Sequence, residues 1–199
     1  MEAYVLNKEI SFEKNPLGIR PIPQMLLSMA VPAVIANLVN AVYNIVDQIF
    51  IGNKIGYLGN AATNVAFPLT TICMAIGLTV GIGSAAGFNL KLGRKEVADA
   101  KGIAGTAFSS LLICGLLLCI LVRLFLQPLM VAFGATEDIL PFAMEYSGIT
   151  SLGIPFLLFS TGTNPLVRGD GNAKYSMLAL VTGAVTNIIL DAIFMYVFE

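Results

Sequence analysis

The sequence contains no histidine, and only 12% of its 199 residues are charged. The first absence removes the side chain that most often serves as general base or metal ligand. No nucleophile–base pair is recognisable in its place, so the chain reads as a non-enzyme that carries no cofactor. The second figure is about half of the ~25% charge of a typical soluble domain. Cysteine is scarce too: Cys73, Cys114 and Cys119 all fall inside apolar stretches. Three thiols at such depths are neither a disulfide framework nor a metal motif. The net charge of −1 identifies no partner by itself, and nucleic acid is not expected as one.

What the chain does have is hydrophobic length. Some 57% of its residues are apolar, gathered into blocks at about 24–51, 60–88, 102–126, 139–167 and 175–198. A helix needs ~20 mostly apolar residues to cross a hydrocarbon core of ~30 Å, and each block is long enough. A β-barrel would show instead strands of about 10 residues in strict alternation. The expected fold is therefore all-α and integral to the membrane: a polytopic bundle of five transmembrane helices over 24–199, behind a polar tail at 1–23. Pro16, Pro21 and Pro23 discourage a continuous helix in that tail. The first block is too long for a signal-peptide core and reads as a permanent span in contact with lipid.

Basic residues set the orientation. Nine lie in the tail and in alternate loops, namely Lys8, Lys14, Arg20, Lys91, Arg94, Lys95, Lys101, Arg168 and Lys174. The opposite loops hold only two, Lys54 and Arg123. The positive-inside rule then puts the N-terminus in the cytoplasm and the chain in the plasma (inner) membrane, with Glu199 on the outer side.

Several motifs have plain structural readings. GLTVGIGSAAG, Gly77 to Gly87, has no G-x-G-x-x-G spacing and no preceding strand. Its small residues four apart, Gly77/Gly81 and Gly83/Gly87, suit close helix packing in lipid. RGDGN, Arg168 to Asn172, is built of turn formers, and its position in a cytoplasmic loop argues against an adhesion motif. Ala135-Thr136-Glu137-Asp138 is expected to cap the fourth span with acids in its first turn. Pro155 is expected to bend that span, and the third span looks like lipid-facing scaffold.

Two aspartates do not fit a scaffold. Asp47 lies in YNIVDQIFIG and Asp191 in TNIILDAIFMY. An Asp at the centre of a membrane helix costs roughly 2.5–3.5 kcal/mol and usually faces a bundle interior or an aqueous cavity. Asn44 and Asn187 stand three and four residues before their respective acids, spacings that place each pair on one helix face. Both spans start at the cytoplasm. At ~1.5 Å per residue both acids belong to the outer half of the membrane. If the first and fifth spans pack together, the acids share an outward-opening pocket. Desolvation and mutual repulsion favour the neutral form there, and a cation favours the charged form. The pair then binds H⁺, or Na⁺ with help from amide and hydroxyl oxygens, with no other metal expected. The bland alternative is an Asp–Asn hydrogen bond that only fixes helix register. Glu145, about two turns into the fourth span, lies close enough to the outer interface to be wet. Pro32 is a candidate bend in the first span.

These residues sit in longer segments that resemble the N-terminal half of multidrug and toxic compound extrusion (MATE) transporters. The carrying segments are PAVIANLVNAVYNIVDQIFIGN, LGRKEVADA, GATEDILPFAMEYSGI and LVRGDGNAKYSMLALVTGAVTNIILDAIFMY. The resemblance implies five helices of a six-helix lobe, in a twelve-helix antiporter with two pseudosymmetric lobes around a central cavity. It implies H⁺- or Na⁺-coupled export of organic cations or amphipathic drugs. It also implies that Asp47, Asn187 and Asp191 form the N-lobe ion site and that Pro32 is the hinge of the first helix. By the same resemblance the chain is expected to be truncated and to need the sixth helix and the second lobe for transport. Two rival readings remain: a flippase for lipid-linked oligosaccharides, which would sooner line its cavity with cations, and a non-transporting membrane subunit.

Overall fold

The computed structural model describes residues 21–196, with side chains as far as Phe194. The polar tail expected at 1–23 lies almost wholly outside them, as does Glu199. All regular structure among the described residues is helical. The elements are α1 (Ile22–Lys54), α2 (Tyr57–Gly93), α3 (Val97–Leu124), α4 (Leu126–Ala132), α5 (Leu140–Thr150), a 3₁₀ turn (Ser151–Gly153), α6 (Ile154–Gly169) and α7 (Ala173–Tyr196). Five stretches are long and apolar enough to cross a membrane; α5, the 3₁₀ turn and α6 together form the fourth.

Local chemistry explains the ends. Pro23 stands in the first turn of α1, where the amide it lacks would have no helical partner, so the helix begins before the apolar block does. The α2–α3 turn is tight, with Lys95 at φ 62°. Lys91 staples it by donating to Glu96 and, at 2.8 Å, to Asp99. Gly171, at φ 86°, takes the left-handed position of the RGDGN turn, which no β-carbon opposes.

Three expectations need correction. Glu137 and Asp138 lie in a turn before α5, whose first helical turn contains no acid and whose N-cap Ile139 makes no side-chain cap. The fourth span is interrupted rather than merely bent. The chain tightens into a 3₁₀ turn and restarts with Pro155 in the first turn of α6. The third span is scaffold on one face only, since Ala107, Leu111, Gly115 and Val122 of α3 are buried.

The helices sort into two groups. α2, α3 and α6 pack tightly on one another, with α5 against α2 and α4 against α5. The main core is Leu69, Cys73, Val122, Ile154 and Leu158. Helices α1 and α7 form a separate pair, joined more narrowly to the rest through α2 and α6. A polar bond closes each narrow seam. Gln48 of α1 donates to Thr63 of α2 at 3.2 Å, and Ser176 of α7 donates to Asn164 of α6 at 2.9 Å.

Arg123 ties the interrupted span to α3. Its guanidinium donates to the Gly148 carbonyl at 2.9 Å, just before the 3₁₀ turn. Arg123→Ala is expected to lower the melting temperature of the purified protein by a few degrees, about 2–4 °C per kcal/mol lost. An unchanged melting curve would show that the bond contributes nothing.

Candidate functional site

The seam between the two helix groups opens into a cavity of 520 Å³. Four elements wall it. Helix α1 contributes Tyr43 and Asp47, α2 contributes Thr63, α5 contributes Glu145 and Tyr146, and α7 contributes Asn187 and Asp191. The pairing of α1 with α7 thus brings together two acids 144 positions apart in the chain. They are close enough for their charges to repel. The Tyr43 and Tyr146 hydroxyls lie within the electrostatic reach of both.

The polar inventory of this cavity is unbalanced. Asp191 Oδ2 and Asn187 Oδ1 are both buried with no hydrogen-bond partner among the described residues. Their spacing of four residues stacks them on one face of α7. A buried acceptor left unmade costs about 1–3 kcal/mol, and more if it is charged. Two neighbouring oxygens with this deficit are a place for a positive charge: a proton on the carboxylate, or a small cation between oxygens. The donor set is all oxygen, which suits a hard cation.

The other site candidates fall elsewhere. Asn44 does not join this cavity, which corrects the expectation that it shares a face with Asp47. It is exposed, and its amide turns back along α1 to donate to the Asn40 carbonyl at 2.7 Å. A spacing of three residues leaves about 60° between side chains, and the edge of the cavity runs between them. Pro32 is buried and does not line the cavity. It lies about 22 Å below Asp47 along α1 at ~1.5 Å per residue, and the helix runs through it uninterrupted. Glu145 does line the cavity but is exposed at its rim. Among the described residues no three acids, cysteines or histidines gather closely enough to hold a metal ion.

Sequence reasoning missed both tyrosines and Thr63. Tyr43 was within reach, since it stands four residues before Asp47 and so on its face. Tyr146 and Thr63 carry no such signal, because only the packing of α5 and α2 brings them here.

Comparison with known proteins gives consistent results. The MatE family model matches residues 32–193. A Shewanella oneidensis protein named FAD transporter is 27% identical, over 92% of this chain and 40% of its own length. The multidrug export protein MepA of Staphylococcus saprophyticus is 25% identical, over 87% of this chain and 39% of its own. A crystal structure of MATE in the straight conformation superposes with a TM-score of 0.85 at 27% identity, covering 94% of this chain and 41% of that one. The chain thus spans 40% of the FAD transporter's length and a similar share of the others.

Proposed function

From the premise that the chain belongs to the MatE family, we propose that it is the ion-coupling part of a cation-driven exporter of small organic molecules. The family and the apolar helices make it a multi-pass membrane protein, and the relatives are transporters rather than enzymes. The coupling ion is H⁺ or Na⁺, taken up by Asp47, Asn187 and Asp191. The cargo is an organic cation or an amphipathic drug-like compound, as the name of the multidrug relative suggests. The chain sits in the cell membrane with its N-terminus in the cytoplasm, so the site loads from outside.

One observation carries this reading: two acids from separate helices share a cavity in which Asp191 Oδ2 and Asn187 Oδ1 lack partners. Without a bound cation, the two carboxylates repel and strain the α1–α7 pair. A bound cation removes the repulsion and supplies the missing partner, so it favours closure of the pair against α2 and α5. A ligand shifts a conformational equilibrium only by its differential affinity for the two states. The orphaned oxygens are the source of that difference. Pro32, which removes one backbone hydrogen bond from α1, is where the helix yields. The oligosaccharide flippase is the weaker alternative, because acids rather than bases line this cavity.

The test is carbodiimide labelling of the full-length protein in membranes. Apolar carbodiimides react with protonated carboxyl groups in sheltered pockets. Mass spectrometry is expected to find the adduct on the peptides of Asp47 or Asp191. Labelling falls with added Na⁺ at fixed pH if Na⁺ is the coupling ion, and responds to pH alone if H⁺ is. Labelling of neither acid, or labelling indifferent to both Na⁺ and pH, would sink the proposal.

A further inference from the structure

The turn between α2 and α3 stands at one end of an open groove of 550 Å³. The groove runs from Lys91 back to Val80 along α2, and from Asp99 on to Ser110 along α3. Small residues keep it open. A β-carbon on Gly102 would meet nothing within 4 Å. The Thr106 hydroxyl donates to the Gly102 carbonyl at 2.9 Å, so it needs no partner across the groove. Ile103 closes the floor, since a β-carbon on Gly87 would stand 3.4 Å from its Cδ1.

The length of the groove has a physical match. Lys91 and Asp99 form an ion pair, and charges are costly in hydrocarbon, so this end lies at the membrane surface. At ~1.5 Å per residue the far end at Val80 and Ser110 is about 16 Å deeper. That is close to half of a ~30 Å hydrocarbon core, or one leaflet.

The charge at the surface end has a match as well. Residues 91–101 hold Lys91, Arg94, Lys95 and Lys101 against Glu96 and Asp99, a net charge of +2. Lys91 bonds both acids. Arg94 and Lys95 are exposed and pair with no acid among the described residues.

We infer that this groove binds one acyl chain of an anionic phospholipid, whose phosphate sits on Arg94 and Lys95. A mostly apolar channel one leaflet deep suits the chain, and basic residues at its surface end suit the headgroup. A free phosphate would leave the channel empty. The groove shares no lining residue with the acidic cavity, so it stands whether or not that cavity holds a coupling cation.

The test uses the full-length protein in phosphatidylcholine vesicles, doped with a phospholipid that carries a photoreactive diazirine midway along one acyl chain. After illumination, mass spectrometry is expected to place the adduct on the peptides of Val80 and Thr106. Phosphatidylglycerol should give roughly tenfold more adduct, or better, than phosphatidylcholine with the same chain. Arg94→Gln and Lys95→Gln should each lower the phosphatidylglycerol adduct about fivefold and leave the phosphatidylcholine adduct unchanged. Gly102→Leu fills the groove without a clash and should remove the adducts of both lipids. Thr106→Phe, at an exposed position of the same groove, repeats that test should the first variant misfold. Gly83→Leu, in open space on α2 but outside the groove, should change nothing. Equal adducts from the two lipids, or adducts that survive the groove-filling variants, would overturn the inference. So would the absence of any adduct on these peptides, which would mean that another helix of the full-length protein covers the groove.

Discussion

Asp191→Asn in the full-length protein is expected to cut gradient-driven export by about 5–150-fold, and Asp47→Asn to do the same. Asparagine keeps the volume of the side chain and one acceptor oxygen, so the cavity and the packing of α1 on α7 survive. What disappears is the charge proposed to hold the coupling ion. Coupling free energies between sites are typically 1–3 kcal/mol, or about 5–150-fold in affinity, and export driven by the ion should fall by that order. Either acid alone is a poor trap, because the orphaned oxygens belong to Asp191 and Asn187 while the repulsion that makes a cation welcome needs Asp47. The double variant should therefore be no worse than either single one, as expected for groups acting as a unit. Glu137→Gln, an exposed acid in the turn before α5, serves as the control and should export normally. Efflux of a fluorescent organic cation from vesicles, driven by an imposed H⁺ or Na⁺ gradient, reads all four. Retained export in both single variants would remove the mechanism.

How much of this was legible in the sequence depends on what each feature needs. Asp47 and Asp191 stood out because a charge inside an apolar block is rare enough to need a reason. Their meeting was only conditional, since no spacing within the chain says that α1 packs on α7. Asn44 shows the limit of spacing arguments. Three residues bring two side chains to within about 60° of each other, but whether a cavity edge falls between them is settled by the neighbouring helix. Tyr146 was invisible for the same reason, because it reaches the cavity only through the docking of α5. Pro155 gave warning of an irregular fourth span. The 3₁₀ turn at Ser151–Gly153 and the restart of α6 are details of backbone bonding that composition does not reveal. The short α4 went unread because it continues an apolar run.

The glycines of α2 carry the largest expected effect on stability. Gly77/Gly81 and Gly83/Gly87 have identical spacing and were equal candidates for close packing, but the structure separates them. A β-carbon on Gly81 would stand 2.3 Å from the Gly162 carbonyl oxygen and 2.8 Å from its Cα. Around Gly83 there is open space, and a β-carbon on Gly87 would make only ordinary contact with Ile103, at 3.4 Å. Gly81 therefore marks the crossing of α2 and α6, where backbone meets backbone. Gly162→Ala is the more forgiving change. Its new methyl would meet side-chain ends of Leu111 at 2.4 and 2.6 Å and the Gly77 carbonyl only at 3.0 Å, so a shift of the buried Leu111 relieves most of the clash. Gly81→Ala strikes main-chain atoms that move only if the two helices part. Overpacking of this kind costs typically 1–3 kcal/mol and occasionally more, and at about 2–4 °C per kcal/mol the melting temperature should fall by roughly 5–10 °C. Gly81→Leu should not yield folded protein, whereas Gly83→Leu, with open space around it, should leave the melting temperature unchanged or raise it through better helix propensity. Helix propensity favours alanine and leucine over glycine at both positions, so equal losses at 81 and 83 would mean that the α2–α6 crossing is not the constraint. Because α6 also carries the seam to α7 through Asn164 and Ser176, a Gly81→Ala protein that still folds should bind the proposed coupling cation more weakly, though no residue of the acidic cavity has been touched.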